Sequence, residues 1–153
     1  MELSREARLV SGVILLTVPA IMYGGVTLLG ILTQGSAGFA PAGLQLNDMH
    51  WALFRAGHAH AGVWLIFSLV LQVLLDSAVL GSALRWLARL SAPAGAVSIS
   101  GGFFGLALVP EFQWLVYAGA ALMAVAVLLA GAGLLRRPRG PGMPDPGRSR
   151  RAV

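Results

Sequence analysis

Long uncharged apolar runs alternate along this chain with short polar stretches, and the runs are of helix length. Crossing a hydrocarbon layer of about 30 Å takes about 20 consecutive apolar residues in a helix. Four stretches meet that need: 9–32, 51–75, 91–109 and 112–135. The first carries no charge, and Pro19 and the Gly24-Gly25 pair are its expected bend points. It is longer than the roughly 7–15-residue apolar core of a cleaved signal peptide, so it reads as a retained helix. The third is the weakest helix former, because Pro93, Gly95 and Gly101-Gly102 interrupt it. Even so, Ser98, Gly101, Gly102 and Gly105 recur at i, i+3, i+4 and i+7, a smooth stripe suited to close helix contact in lipid. The pattern predicts an all-α, integral membrane four-helix bundle over residues 1–135. The Arg-, Pro- and Gly-rich remainder, 136–153, has little with which to fold and is expected to be disordered.

Composition agrees. The chain is 57% hydrophobic and 11% charged, whereas soluble domains carry about 25% charged residues. The absence of cysteine excludes disulfides, thiolate metal sites and CxxC redox chemistry. Arginines and acids balance up to Leu135, so the net charge of +5 resides in the tail, where six arginines meet Asp145 alone. Such a tail reads as a topology anchor touching anionic lipid headgroups; it has no aromatic residue, and nucleic-acid binding is not expected. Every basic residue is arginine and Ala and Gly abound, which suggests a GC-rich bacterial source and the bacterial cytoplasmic (inner) membrane.

Arginine placement predicts orientation. Arg5 and Arg8 precede the first span, Arg85 and Arg89 lie between the second and third, and Arg136, Arg137 and Arg139 follow the fourth. The other two connections lack arginine, so both termini are expected on the cytoplasmic side. Residues 81–90, with Arg85 and Arg89 at i, i+4 beside Leu84, Trp86 and Leu87, read as a short interfacial helix on that side.

The chemistry gathers at the opposite end. Residues 54–62 read FRAGHAHAG and open the second span, and His50 and Asp48 lie just upstream. Ionisable groups at a membrane span are costly and usually have a task. His58 and His60 are two residues apart, so on a regular helix they point about 200° away from each other. They could bind one ion only if the backbone unwound at Gly57 or Gly62. His58 shares a face with Arg55, Gly62, Gln72 and Asp76, a polar stripe expected to face the bundle interior. His60 shares one with Trp64, Phe67 and Leu71, suited to a helix seam, a flat ligand or lipid. Three readings follow. The histidines are packing and hydrogen-bonding residues, His58 pairing with Glu111 or Asp48. Or His50, His58, His60, Asp48 and Glu111 form a metal site of the imidazole–carboxylate kind that suits zinc, copper or iron. Or one histidine is the axial ligand of a haem, with Arg55 near a propionate.

The stretch ALFRAGHAHAGVWLIFSLVLQVLL, residues 52–75, resembles the second helix of catalytic subunits in the haem-copper oxidase and nitric oxide reductase superfamily, and small stand-alone bacterial membrane proteins of about four helices share that likeness. The resemblance implies His58 as a haem ligand and Arg55 as the arginine preceding it; His60, two residues on, is a further candidate cofactor-binding residue. It covers that one segment, and this chain departs from the oxidases in having no histidine after His60. Oxygen or NO reduction by this chain alone is therefore not expected, and a single-ligand haem or one shared across a dimer is what the likeness allows. No nucleophile elbow is present either, and catalysis by the chain on its own is not expected beyond a His58–Glu111 proton-transfer pair. The leading expectation is a respiratory-type accessory or sensor membrane protein holding haem or a transition metal (Cu, Zn or Fe) at the polar end of the second span. A homodimer or respiratory-type membrane partner would meet it at the Ser98/Gly101/Gly102/Gly105 face. The alternative is a non-catalytic structural or interaction subunit with no cofactor, in which the polar cluster only fixes helix packing.

Overall fold

The computed structural model describes residues 2–34 and 46–136, and helices are the only regular structure among them. They are α1 (Arg5–Gln34), α2 (Asp48–Ser77), α3 (Ser82–Leu106) and α4 (Gln113–Leu135), with a 3-10 turn at Pro110–Phe112 leading into α4. The tail after Arg136 lies outside the described residues. Three of the four helices are long and apolar enough to cross a membrane: α1, α2, and α4 with its leading turn. α3 is the exception, and its position explains why. It packs on α2 along one side, on α4 along another and touches α1 on a third. A helix covered by protein needs small residues more than apolar ones, and apart from Arg89 its buried residues are Ala88, Ser91, Ala92, Gly95, Ala96, Ile99, Ser100 and Gly102.

Glycine sets how closely α3 and α4 approach. A β-carbon on Gly95 would lie 2.8 Å from the Gly119 carbonyl oxygen, and one on Gly102 would lie 2.6 Å from Val116. Gly105 lies against the Phe112 ring. The small-residue stripe therefore divides: Gly102 lies against α4 and Gly105 against the turn before it, while Ser98 and Gly101 line a cleft toward α1.

The four helices do not close into a symmetric bundle. α1 meets α2 and, briefly, α3, and makes no contact with α4 among the described residues. Among its described side chains the buried ones, Ala7, Val10 and Ile14, belong to its first half. Beyond them it stands away from α3, and a cleft opens between the two. The core proper is α2–α3–α4, built around Leu71, Leu75, Ala92, Ile99, Met123 and Ala126.

The expected interfacial helix at 81–90 is instead the first part of α3, continuous through Pro93. Proline has no N–H to give the carbonyl four residues back, here that of Arg89. Gln72 Nε2 of α2 donates to that carbonyl at 3.1 Å, so the bond the proline forfeits is supplied from the neighbouring helix. Arg89 itself is no surface anchor: its side chain is 1% exposed.

Candidate functional site

Two polar sites stand at opposite ends of α2. At the Ser77 end, Asp76 and Arg89 form an ion pair, the one such pair among the described residues. Arg89 Nη1 also donates to the Gln72 backbone and side-chain oxygens, each at 3.1 Å, and Nη2 donates to Ser4 Oγ at 3.2 Å. Ser4 completes the network, with its N–H on Asp76 Oδ2 at 2.8 Å and its hydroxyl on Oδ1 at 2.7 Å. The same hydroxyl oxygen accepts from Ala7 N–H at 3.1 Å, which caps the start of α1. One buried charge pair thus joins the start of α1, the end of α2 and the early part of α3. The expected inward-facing stripe is seen at Gln72 and Asp76. Sequence reading missed Arg89 as their partner, although a glutamine and an acid one turn apart inside an apolar helix called for a cation.

The histidine end is different. His50 belongs to a capping box: Asn47 Oδ1 accepts from His50 N–H and His50 Nδ1 accepts from Asn47 N–H, both at 3.1 Å. This is the reciprocal pairing that usually involves Ser/Thr with Glu/Gln, and an Asn-x-x-His spacing was the available signal. Asp48 sits in the first turn of α2, where a carboxylate suits the positive end of the helix dipole. Helix α2 is unbroken from Asp48 to Ser77, so Gly57 and Gly62 do not unwind it, and His58 and His60 point apart as their spacing predicts. His60 Nδ1 lies 2.7 Å from the Ala56 carbonyl oxygen, and its ring lies 4.8 Å from that of Phe103 in α3. It is a seam residue.

His58 turns the other way, toward α1. Gly25 gives it room: a β-carbon there would lie 2.8 Å from His58 Cε1 and 2.9 Å from Nε2. No hydrogen bond ties either ring nitrogen to another described residue. Below the ring runs the cleft between α1 and α3, about 750 Å³ in volume, with His58, Ala61, Leu65 and Ser68 of α2 along its back wall. Arg55, one turn from His58, is exposed, and so is Glu111 on the turn before α4. Arg55 and Glu111 form no ion pair. Nor does His58 bond to Glu111 or Asp48. No three histidine or carboxylate side chains among the described residues come together as a metal site. The edge of His58 that carries Nε2 is turned to the α1 backbone, so iron at that nitrogen would need the ring to turn.

Comparison with protein-family models, with curated proteins and with solved structures finds no match to this chain.

Proposed function

We propose that the chain is a multi-span membrane protein that holds a lipophilic ligand in the cleft between α1 and α3, with His58 as its polar contact. It would work in a bacterial cytoplasmic membrane with both termini on the cytoplasmic side. One observation carries the reading: an imidazole whose nitrogens bond to no other described residue stands at the end of a large apolar cleft. Ligand sites are concave, mostly apolar and furnished with a few placed polar groups, and an ionisable side chain in a spanning helix is costly without a task. A haem- or metal-holding accessory protein, which the sequence resemblance implies, is a narrower form of this reading. It has less support, since Nε2 lies against Gly25 and the cleft offers one histidine. A structural subunit is the second reading, favoured by the Ser4–Asp76–Arg89–Gln72 network, which has a packing role sufficient in itself.

The test is the content of the full chain purified in mild detergent: mass spectrometry of its organic extract, its visible spectrum and its metal content. A lipophilic molecule should accompany the wild type and be depleted in His58→Ala, whose thermal melt should stay close to wild type. A Soret band lost in His58→Ala would choose the haem form. A wild type that carries nothing above background would sink the proposal and leave the structural subunit.

A further inference from the structure

The walls of the cleft indicate what it takes. Below His58 they present hydrocarbon. Of the three serines of α2 and α3 along it, Ser68 and Ser100 have hydroxyls covered by protein, and Ser98 is half-buried. Thr17 on the α1 side gives its hydroxyl to the Ile14 carbonyl at 2.6 Å. These hydroxyls are neutral, and His58 is the one ionisable side chain that lines the cleft among the described residues, so a charged part of the occupant belongs at His58. From His58 to Ser68 is ten residues, or about 15 Å along the helix. That matches one leaflet, half of a hydrocarbon layer of about 30 Å. The cleft is also open at the side, where Val13 of α1 and Val97 of α3 are 58% and 71% exposed. A molecule already in the bilayer could enter without leaving it.

Charge at the mouth narrows the head group. Arg55 is exposed one turn beyond His58 on the same face of α2, and guanidinium pairs strongly with phosphate oxygens. Two acids share this end. Asp48 is two turns further out, at the start of α2. Glu111 lies on the turn before α4, across α3 from the cleft.

Resting on the cleft reading above, we infer that the occupant is one acyl chain of an anionic phospholipid from the leaflet on the His58 side, its phosphate held at Arg55 and His58. The site holds that lipid in one place on the protein, as a lipid cofactor or a lipid sensor would.

Glycines provide the means to fill the cleft without disturbing the helices. Gly101 and Gly24 both line it, and a β-carbon at either meets nothing within 4 Å. The full chain is reconstituted in nanodiscs of equal phosphatidylglycerol and phosphatidylcholine, released into mild detergent and weighed by native mass spectrometry. One phosphatidylglycerol should remain per wild-type chain. Gly101→Leu should reduce that retention on the order of tenfold, the effect of about 1.4 kcal/mol, and Gly24→Leu, from the opposite wall, gives the same answer should the first variant not fold. Gly12→Leu, on an exposed position of α1 outside the cleft, should retain lipid as wild type does. Arg55→Gln should keep a lipid but lose the preference for phosphatidylglycerol. Equal retention in wild type and both cleft variants would overturn the inference, and so would a preference that survives Arg55→Gln. If the wild type carries a different lipophile, such as a haem or a quinone, the phospholipid assignment fails while the cleft reading stands. If it carries nothing, both fail.

Discussion

At the scale of single residues, the two ends of α2 obey different rules. Arg89 is buried and Asp76 nearly so, and they are bonded to each other and to Ser4 and Gln72, so each charge relies on the other for compensation away from water. Removing one partner of a buried pair typically costs about 3–5 kcal/mol, whereas replacing both with apolar residues is often neutral. Asp76→Asn and Arg89→Gln should each lower the midpoint of thermal unfolding in detergent, and Asp76→Leu with Arg89→Met should recover most of the loss. Single variants that unfold at the wild-type midpoint would show that the pair is dispensable to the fold. At the other end, His58 depends on the absence of a side chain at Gly25. A methyl group placed 2.8 Å from its ring must push the imidazole away, so Gly25→Ala should shift the His58 ring signals in NMR while leaving those of His60, which faces α3, in place. Part of this is legible in the sequence. The opposed directions of His58 and His60 follow from helical rotation alone. The burial of Arg89 does not, because two arginines at i, i+4 near a helix boundary look like solvated charges, and only the pairing across 13 residues reveals otherwise.

At the scale of elements, α3 is the helix that its own sequence describes least well. Its Pro93 and four glycines argue against a helix by propensity, and tertiary contacts decide the matter. Gln72 supplies the hydrogen bond that Pro93 forfeits, and the glycines let α4 approach. The first of these contacts predicts a coupling between two residues that do not neighbour each other in sequence. Gln72→Leu leaves the Arg89 carbonyl without a donor, a loss of about 1–3 kcal/mol for a buried group. Pro93→Ala restores an N–H to that carbonyl from within α3. The double variant should therefore be more stable than the sum of the single effects allows, by unfolding in detergent; strict additivity would mean that the two sites do not interact. Span boundaries read from the sequence fall within a few residues of α1, α2 and α4, because uncharged runs mark them. For α3 the apolar run opens only at Ser91, whereas the helix begins at Ser82. Its first turns, read from the sequence as a separate interfacial helix at 81–90, run without a break into that apolar run.

At the scale of the molecule, α1 is the outlying element. It is fastened at its start by Ser4 and by Ala7, Val10 and Ile14, and further along it stands off from α3 to leave the cleft. Sequence could supply four helices but not this asymmetry, because an apolar face turned to lipid and one turned to protein look the same in hydropathy. The asymmetry gives orientation a consequence, since it fixes which leaflet the cleft serves. Arg5 and Arg8 are exposed at the Ser4 end. Arg85 at that end donates to the Ala78 and Leu80 carbonyls at 3.3 and 3.2 Å, while the His58 end has Arg55 alone. By the bias of arginine toward the cytoplasm, the Ser4 end should be cytoplasmic and the cleft should face the outer leaflet. Reporter fusions at Gly81 and after Arg139 should then read as cytoplasmic. A fusion at Gly43, which lies outside the described residues between α1 and α2, should read as extracytoplasmic. A cytoplasmic signal at Gly43 would invert the chain. The helix packing and the cleft would be unchanged by that result, but the phospholipid drawn to Arg55 would have to come from the inner leaflet, and the arginine-rich tail would lie on the outside.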